Sequence, residues 1–135
     1  MLKIDTHAHV LPQDWPNLSE KHGVAGFPYL NHDDGRTRIF KDGKFFREIW
    51  KNCYDAQTRI DEFARYGVQV QVISTVPVMF SYWAKPEHAL ELGQYLNDHC
   101  AQLVDRYPQN IIALGTLPLQ SPELSIAGKA LRQSS

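Results

Sequence analysis

Two histidines near the start of the chain have the spacing of a metal-binding pair. His7 and His9 lie in the segment Asp5-Thr6-His7-Ala8-His9, which follows the apolar residues Leu2 and Ile4. Side chains two residues apart on a β-strand point to the same side, so both imidazoles can reach one divalent metal ion. Imidazole suits zinc, iron, cobalt and nickel, so the pair alone does not choose the metal. A chance pair on a surface strand is the alternative, and the apolar opening of the strand disfavours it.

An arginine within an aromatic segment is the second candidate for chemistry. The residues from 38 to 47 predict a β-hairpin with the two-residue turn Asp42-Gly43. That register places three pairs of residues opposite each other: Lys41 and Lys44, Phe40 and Phe45, and Arg38 and Arg47. Like charges in such positions are unfavourable, and an anion or a protein carboxylate between Arg38 and Arg47 would remove the conflict. The alternative is that both side chains extend into water, and for Arg38 this alternative is favoured. Arg47 has the more apolar surroundings, and its guanidinium suits a carboxylate that accepts two hydrogen bonds.

The aromatic segment from Thr75 to Ala84 is the third feature. At the end of a barrel strand such a loop can line a pocket for a flat substrate. Phe46, Met79 and Trp83 are the candidate lining residues. A packed hydrophobic lid or a dimer contact is an equally open interpretation.

The remaining histidines and both cysteines are interpreted as structural. The other histidines are expected to be solvated or hydrogen-bonded: His22, His32, His88 and His99. Cys53 and Cys100 lack the spacing of a metal or redox motif, so we expect two reduced thiols.

Strands alternate with helices along the chain. Strands are predicted over 2–10, 68–75 and 111–117, and each is followed by a helix: one capped by Asp55 and ended by Gly67, one over 86–107, and one beginning at Ser121-Pro122. This alternation predicts the α/β class, with about three parallel βα units of a TIM-type (β/α)8 barrel. A complete barrel typically needs about 250 residues, so 1–135 is read as an incomplete barrel domain. An insertion at about 11–54 contains the hairpin.

Composition excludes several kinds of partner. The 135 residues are 43% hydrophobic and carry a net charge of −1, without a long block of like charge. Nucleic acid is therefore not an expected partner. No apolar run approaches the roughly 18 residues of a membrane span, and the N-terminus lacks the apolar core of a signal peptide. We therefore expect no membrane partner and a cytoplasmic location.

Several segments together resemble the family of 2-amino-3-carboxymuconate-6-semialdehyde (ACMS) decarboxylases, within the amidohydrolase superfamily. The matching segments are Lys3 to His9, Leu11-Pro12, Lys41 to Gly43, Phe46-Arg47, Asn52-Cys53, Ser74 to Pro86, and Gly115 to Pro118. The histidine pair marks the wider superfamily, whereas the segment from Ser74 to Pro86 is much more specific. The resemblance covers the whole chain but only the N-terminal third to half of such an enzyme.

The resemblance implies a metal-dependent carboxy-lyase: a zinc-dependent, non-oxidative decarboxylase of tryptophan breakdown by the kynurenine route. It implies that His7 and His9 bind zinc together with a later histidine and an aspartate, that Arg47 holds a carboxylate of the small-molecule substrate, and that the full-length enzyme is a homodimer. The remaining ligands and the acid–base histidine would lie beyond Ser135, so no catalytic residue is assigned within this chain and the chain alone is expected to be inactive. Two alternatives stay open: a related aromatic-acid decarboxylase or hydrolase, and a non-catalytic fragment that serves as an interaction module.

Overall fold

The computed structural model describes residues 1–130, in which the strands form two separate three-stranded sheets. The elements in chain order are β1 (Ile4–Val10), α1 (Leu18–His22), β2 (Pro28–Asp33), β3 (Arg36–Lys41), β4 (Lys44–Ile49), α2 (Ala56–Ala64), β5 (Val70–Thr75), α3 (Pro86–Arg106), β6 (Ile111–Ala113) and α4 (Pro122–Ala130). Short 3-10 turns lie at Lys51–Cys53 and Pro77–Met79. Of the helices within this range, none has both the length and the apolar composition that a membrane span requires.

The first sheet is parallel and has the strand order β1-β5-β6. The helices α2 and α3 connect these strands, as the alternation in the sequence predicts. One side of the sheet packs on them and forms a core of Ala8, Val10, Ala56, Ile73, Cys100, Leu103 and Ile111. The fold is therefore the α/β fragment that was expected, with its strands in parallel.

Helix α2 begins at the residue that the sequence indicated, and it ends at Ala64, three residues before the predicted Gly67. The backbone N–H of Thr58 donates to Asp55 Oδ2 at 3.0 Å, so Asp55 is the N-cap. The Thr58 hydroxyl also donates to that carboxylate, and this hydrogen bond lowers the pKa of Asp55. Gly67 follows the helix with a φ of +74°, in the left-handed region that glycine adopts without strain.

The third predicted strand is shorter in the structure than in the sequence analysis. The strand ends at Ala113 rather than at 117. Asn97 of α3 explains the difference, because its side chain accepts from the Thr116 N–H at 2.7 Å and donates to the Thr116 carbonyl at 2.8 Å. A side chain therefore replaces the neighbouring strand as the hydrogen-bonding partner of this backbone.

The second sheet is antiparallel, has the order β2-β3-β4 and lies within the predicted insertion. The Asp42-Gly43 turn between β3 and β4 is confirmed, with φ values of +52° and +72°. A second Asp-Gly turn, Asp34-Gly35, joins β2 to β3 with nearly the same φ values, +51° and +70°. The sequence analysis predicted one hairpin here, and the structure has a three-stranded meander.

The predicted pairing of Arg38 with Arg47 is wrong. Phe40 does face Phe45, but Ile39 faces Arg47, so β4 carries one extra residue at Phe46. This bulge shifts the register and places Glu48 opposite Arg38, with 3.5 Å between Arg38 Nε and Glu48 Oε2. The protein thus removes the like-charge pair with its own carboxylate.

The aromatic loop after β5 packs against this insertion. The Trp83 ring lies so close to Gly26 that an added Cβ would be 2.5 Å from its Cη2 atom. Trp83 also lies 5.0 Å from Phe27 between ring centroids. Leu11, Trp15, Ile39, Met79 and Leu96 belong to the core beneath these contacts. The insertion therefore shares an apolar core with the loop after β5 and with α3, and this core is distinct from the one beneath the parallel sheet.

The half-buried imidazole of His99 makes stability depend on pH. Burial lowers the pKa of His99, and a hydrogen bond to the Leu11 backbone opposes that shift. The unfolded chain therefore binds this proton more readily, so the stability is fully present above the unfolded pKa of about 6.5 and is lost as the pH falls below it. We expect the free energy of unfolding to decrease between about pH 7.5 and pH 5.5, and His99→Gln to decrease less. Urea denaturation of both proteins at several pH values measures this, and identical slopes would exclude His99 as the cause.

Candidate metal and substrate site

The structure brings His7 and His9 together at the C-terminal end of β1. The two ring centroids are 5.1 Å apart, with an angle of 80° between the ring planes. β1 reaches this arrangement through a bulge, because Asp5 pairs with Gln71 whereas Ala8 pairs with Ile73. The edge-to-face arrangement lets both imidazoles approach one ion.

Two residues of the neighbouring strand fix the ring of His9. Its Nδ1 atom lies 3.1 Å from Ser74 Oγ and 3.2 Å from the Thr75 carbonyl oxygen. A carbonyl only accepts hydrogen bonds, so this contact requires the proton on Nδ1, and in that tautomer Nε2 is the nitrogen that can bind a metal. Metal-binding histidines are typically held in this way through the other ring nitrogen.

This donor set fits a divalent ion as two of its ligands. Neutral imidazole nitrogen is a preferred ligand of zinc, and zinc sites generally use three or four protein ligands. Across residues 1–130, no group of three or more histidine, cysteine, aspartate or glutamate side chains is placed to hold a metal. Metal binding by His7 and His9 therefore stays a prediction.

Arg47 lies exposed on β4, opposite Ile39. Its guanidinium has neither a hydrogen bond nor an ion pair to another residue within 1–130. Arg38, on the neighbouring strand, is instead paired with Glu48. Arg36 and Arg38 of this hairpin lie 3.9 and 3.5 Å from the Glu48 carboxylate, so Arg47 is the hairpin arginine without a carboxylate partner among residues 1–130. Its substrate-binding role stays a prediction.

The three candidate lining residues have different environments. Phe46, the bulge residue of β4, and Trp83 are 48% and 52% exposed, so both can contact a ligand. Lys41 Nζ lies 5.6 Å from the centroid of a Trp83 ring. Met79 is only 2% exposed and packs in the core. Whether any of the three contacts a substrate stays a prediction.

Sequence reasoning missed the residues that hold the histidine pair in place. Ser74 and Thr75 end β5, the strand beside β1, and so reach His9 from the same end of the sheet. The sequence could have indicated them, because the carboxyl ends of neighbouring parallel strands lie at the same edge of a sheet, so residues that end β5 lie near residues that end β1. Both residues also line a cavity of about 180 Å³ between the ends of β5 and β6.

A larger cavity of about 650 Å³ lies away from this site. It is bordered by residues 12–14, by the start of α2 and by one face of α3. None of His7, His9 and Arg47 lines it. Its volume therefore says nothing about the candidate metal site.

Comparison with known proteins identifies relatives over almost the whole chain. No family model matches. The chain is 56% identical over 126 residues to a 2-amino-3-carboxymuconate-6-semialdehyde decarboxylase of Dictyostelium discoideum, covering 93% of this chain and 35% of that protein. It is 46% identical over 125 residues to a protein of the same name from Caenorhabditis elegans, covering 92% of this chain and 31% of that protein. The chain thus spans about a third of the length of these curated relatives.

Solved structures with the same architecture support the fold. A putative amidohydrolase from Staphylococcus aureus matches 99% of this chain and 34% of its own, with a TM-score of 0.63 and 18% identity. The IDCase of Metarhizium anisopliae in its apo form matches 96% of this chain and 39% of its own, with a TM-score of 0.72 and 16% identity. The chain is therefore similar in sequence to the N-terminal part of the 2-amino-3-carboxymuconate-6-semialdehyde decarboxylases, and its fold matches about a third of each amidohydrolase structure.

Proposed function

We propose that these residues belong to a zinc-dependent enzyme that decarboxylates 2-amino-3-carboxymuconate 6-semialdehyde without oxidation, in tryptophan breakdown. The observation that carries the proposal is the 56% identity to a decarboxylase of that name over 126 residues. The geometry supports it, because the paired imidazoles of β1 lie at the strand end where barrel enzymes place their chemistry.

Each of the candidate residues has a definable task in this reaction. His7 and His9 would hold the zinc, which supplies Lewis acidity when it is bound. Ser74 and Thr75 keep the proton of His9 on Nδ1, so that Nε2 stays free to bind the ion. Arg47 would hold a substrate carboxylate with two parallel hydrogen bonds. In the reaction the bond from carbon to a carboxylate breaks, carbon dioxide leaves, and a proton replaces it on the carbon.

The proposal is tested with the complete polypeptide that contains these residues. We expect it to release carbon dioxide from 2-amino-3-carboxymuconate 6-semialdehyde and to lose this activity on treatment with a zinc chelator. The activity should return when zinc is added back. Turnover of simple aromatic acids, or of an amide, in place of this substrate would favour the related decarboxylases or hydrolases and overturn the substrate assignment.

Arg47→Ala is expected to lower kcat/KM at least about tenfold, because a charge-assisted hydrogen bond contributes roughly 1.5–3 kcal/mol. Arg47→Lys should also be impaired, since an ammonium group cannot reproduce the planar fork of guanidinium. Arg36→Ala is the matched control, because Arg36 is an exposed arginine of the same sheet with only a distant carboxylate, 3.9 Å away in Glu48. Steady-state kinetics decide, and an unchanged kcat/KM for Arg47→Ala would refute the role.

A further inference from the structure

A polar cluster lies between the parallel sheet and α2, on the side of the sheet opposite to the histidine pair. At its centre is Arg59 of α2, which is only 9% exposed. Its Nε donates to Gln71 Oε1 at 2.7 Å, and its Nη1 donates to the Asn52 carbonyl at 3.0 Å. Burial lowers the pKa of Arg59, and the negative charge of Asp5 is among those that oppose this shift. Gln71, which accepts from Arg59, is also the residue of β5 that pairs with Asp5 of β1, so the cluster lies beside the start of β1.

The bulge in β1 decides which side of the sheet each residue faces. In a regular strand Asp5, His7 and His9 would share one face. Asp5 instead pairs with Gln71 and Ala8 with Ile73, and Gln71 and Ile73 both face the helices from β5. The extra residue between Asp5 and Ala8 thus reverses the alternation. It lets Asp5 face Arg59 while both histidines face the opposite side.

The side chain of Asp5 also holds the bulge itself. The backbone N–H of His7 donates to Asp5 Oδ1 at 3.1 Å. A carboxylate that accepts from the N–H two residues later stabilises a local turn of the backbone. The peptide fixed in this way is the one that carries the His7 side chain.

We propose that Asp5 is a positioning residue that maintains the bulge of β1 and thereby directs His7 toward His9. This inference rests on the proposed metal site, but it concerns the protein without metal as well. Asp5 binds no ion in this role and acts only through the backbone of His7. The hydrogen bond from Arg59 to Gln71 joins α2 to β5 at the position that pairs with Asp5.

The test compares Asp5→Ala with Asp5→Asn in the complete protein. The zinc dissociation constant is measured by competition with a chelator, and the metal-free variants are crystallised. Asp5→Ala should weaken zinc binding at least about tenfold, because loss of an outer-shell partner typically lowers metal affinity about 10–100-fold. The crystal structure of this variant should lack the bulge in β1. Asp5→Asn keeps the accepting Oδ1 and should stay within about threefold of the parent. Asp14→Ala is the control. The Asp14 carboxylate accepts a hydrogen bond of 2.8 Å from the Trp15 N–H and makes no such bond to the histidines. The Asp14→Ala variant should therefore bind zinc as the parent protein does.

The outcomes separate this inference from the proposed function. A metal-free Asp5→Ala structure that keeps the bulge and a ring separation near 5.1 Å would overturn the positioning role, whatever the activity. A parent protein that binds no zinc would overturn the metal site, while loss of the bulge in Asp5→Ala would still support the positioning role. If Asp5→Ala does not fold, Asp5→Ser takes its place, because serine makes the same bond more weakly. Zinc affinity in Asp5→Ser equal to that in Asp5→Asn would then count against the role.

Discussion

His9→Ala in the complete protein is expected to remove tight zinc binding and decarboxylation together. The substitution deletes one of the two imidazoles that lie 5.1 Å apart at the end of β1. Outer-shell partners of a metal contribute about 10–100-fold to affinity, so loss of a direct ligand should cost more than about 100-fold. The variant also leaves the Thr75 carbonyl without the imidazole that lies 3.2 Å from it. Zinc content after dialysis and kcat/KM should therefore decrease in parallel.

His88→Ala is the matched control for this experiment. His88 is a half-buried histidine of α3 that stacks on His22, with ring centroids 3.9 Å apart. It lies outside the candidate site, so its loss should leave the zinc content unchanged. Full zinc content in His9→Ala, or an equal loss in His88→Ala, would show that the pair on β1 is not the metal site.

Local signals in the sequence were sufficient for the ends of helices and for one turn. Asp55 caps α2 because a short carboxylate can accept from the N–H three residues later. The Asp42-Gly43 turn was predictable because both of its residues need a positive φ. These features depend on residues adjacent in the chain, so no tertiary contact was needed to predict them.

The two bulges could not be predicted from the same kind of signal. The bulge at Phe46 replaces an Arg38–Arg47 pair by an Arg38–Glu48 pair. Both registers are compatible with the same Asp42-Gly43 turn, so the turn residues do not distinguish between them. The one in β1 depends on how that strand pairs with β5, whose residues come some 60 positions later in the chain. Register of this kind is decided by contacts across strands.

The sequence predicted the candidate metal ligands, but it did not predict the residues that hold them in position. The spacing of His7 and His9 predicted that they share one face, and the bulge between Asp5 and Ala8 is what places Asp5 on the other face. The sequence analysis missed Arg59 because helical periodicity identifies the buried apolar residues of a helix and not a buried arginine among them. The burial of Arg59 follows from its hydrogen bonds to Gln71 and to the Asn52 carbonyl, which only the structure shows. Met79 was proposed as a pocket residue because its loop is aromatic; in the structure it belongs to a core cluster, and its contact with a substrate stays a prediction.

The 135-residue chain by itself is expected to bind zinc no more tightly than about micromolar and to show no decarboxylation. Two imidazoles supply half of the ligands of a typical zinc site, and residues 1–130 contain no group of three or more candidate ligands. The sheet adds a second difficulty, because in the order β1-β5-β6 both outer strands have an unpaired edge within these residues. Ile112 and Leu114 are also 50% and 56% exposed. Open edges and exposed apolar side chains favour association between chains.

Calorimetric zinc titration and sedimentation velocity test this expectation, with the complete polypeptide measured in parallel. The isolated chain should bind zinc at least about tenfold more weakly than the complete protein. Each missing ligand or outer-shell partner is expected to lower the zinc affinity by at least about tenfold. It should also sediment as a mixture of associated species. A monomer that binds zinc below micromolar concentration, or that releases carbon dioxide from the substrate, would mean that His7 and His9 find their remaining partners within these 135 residues.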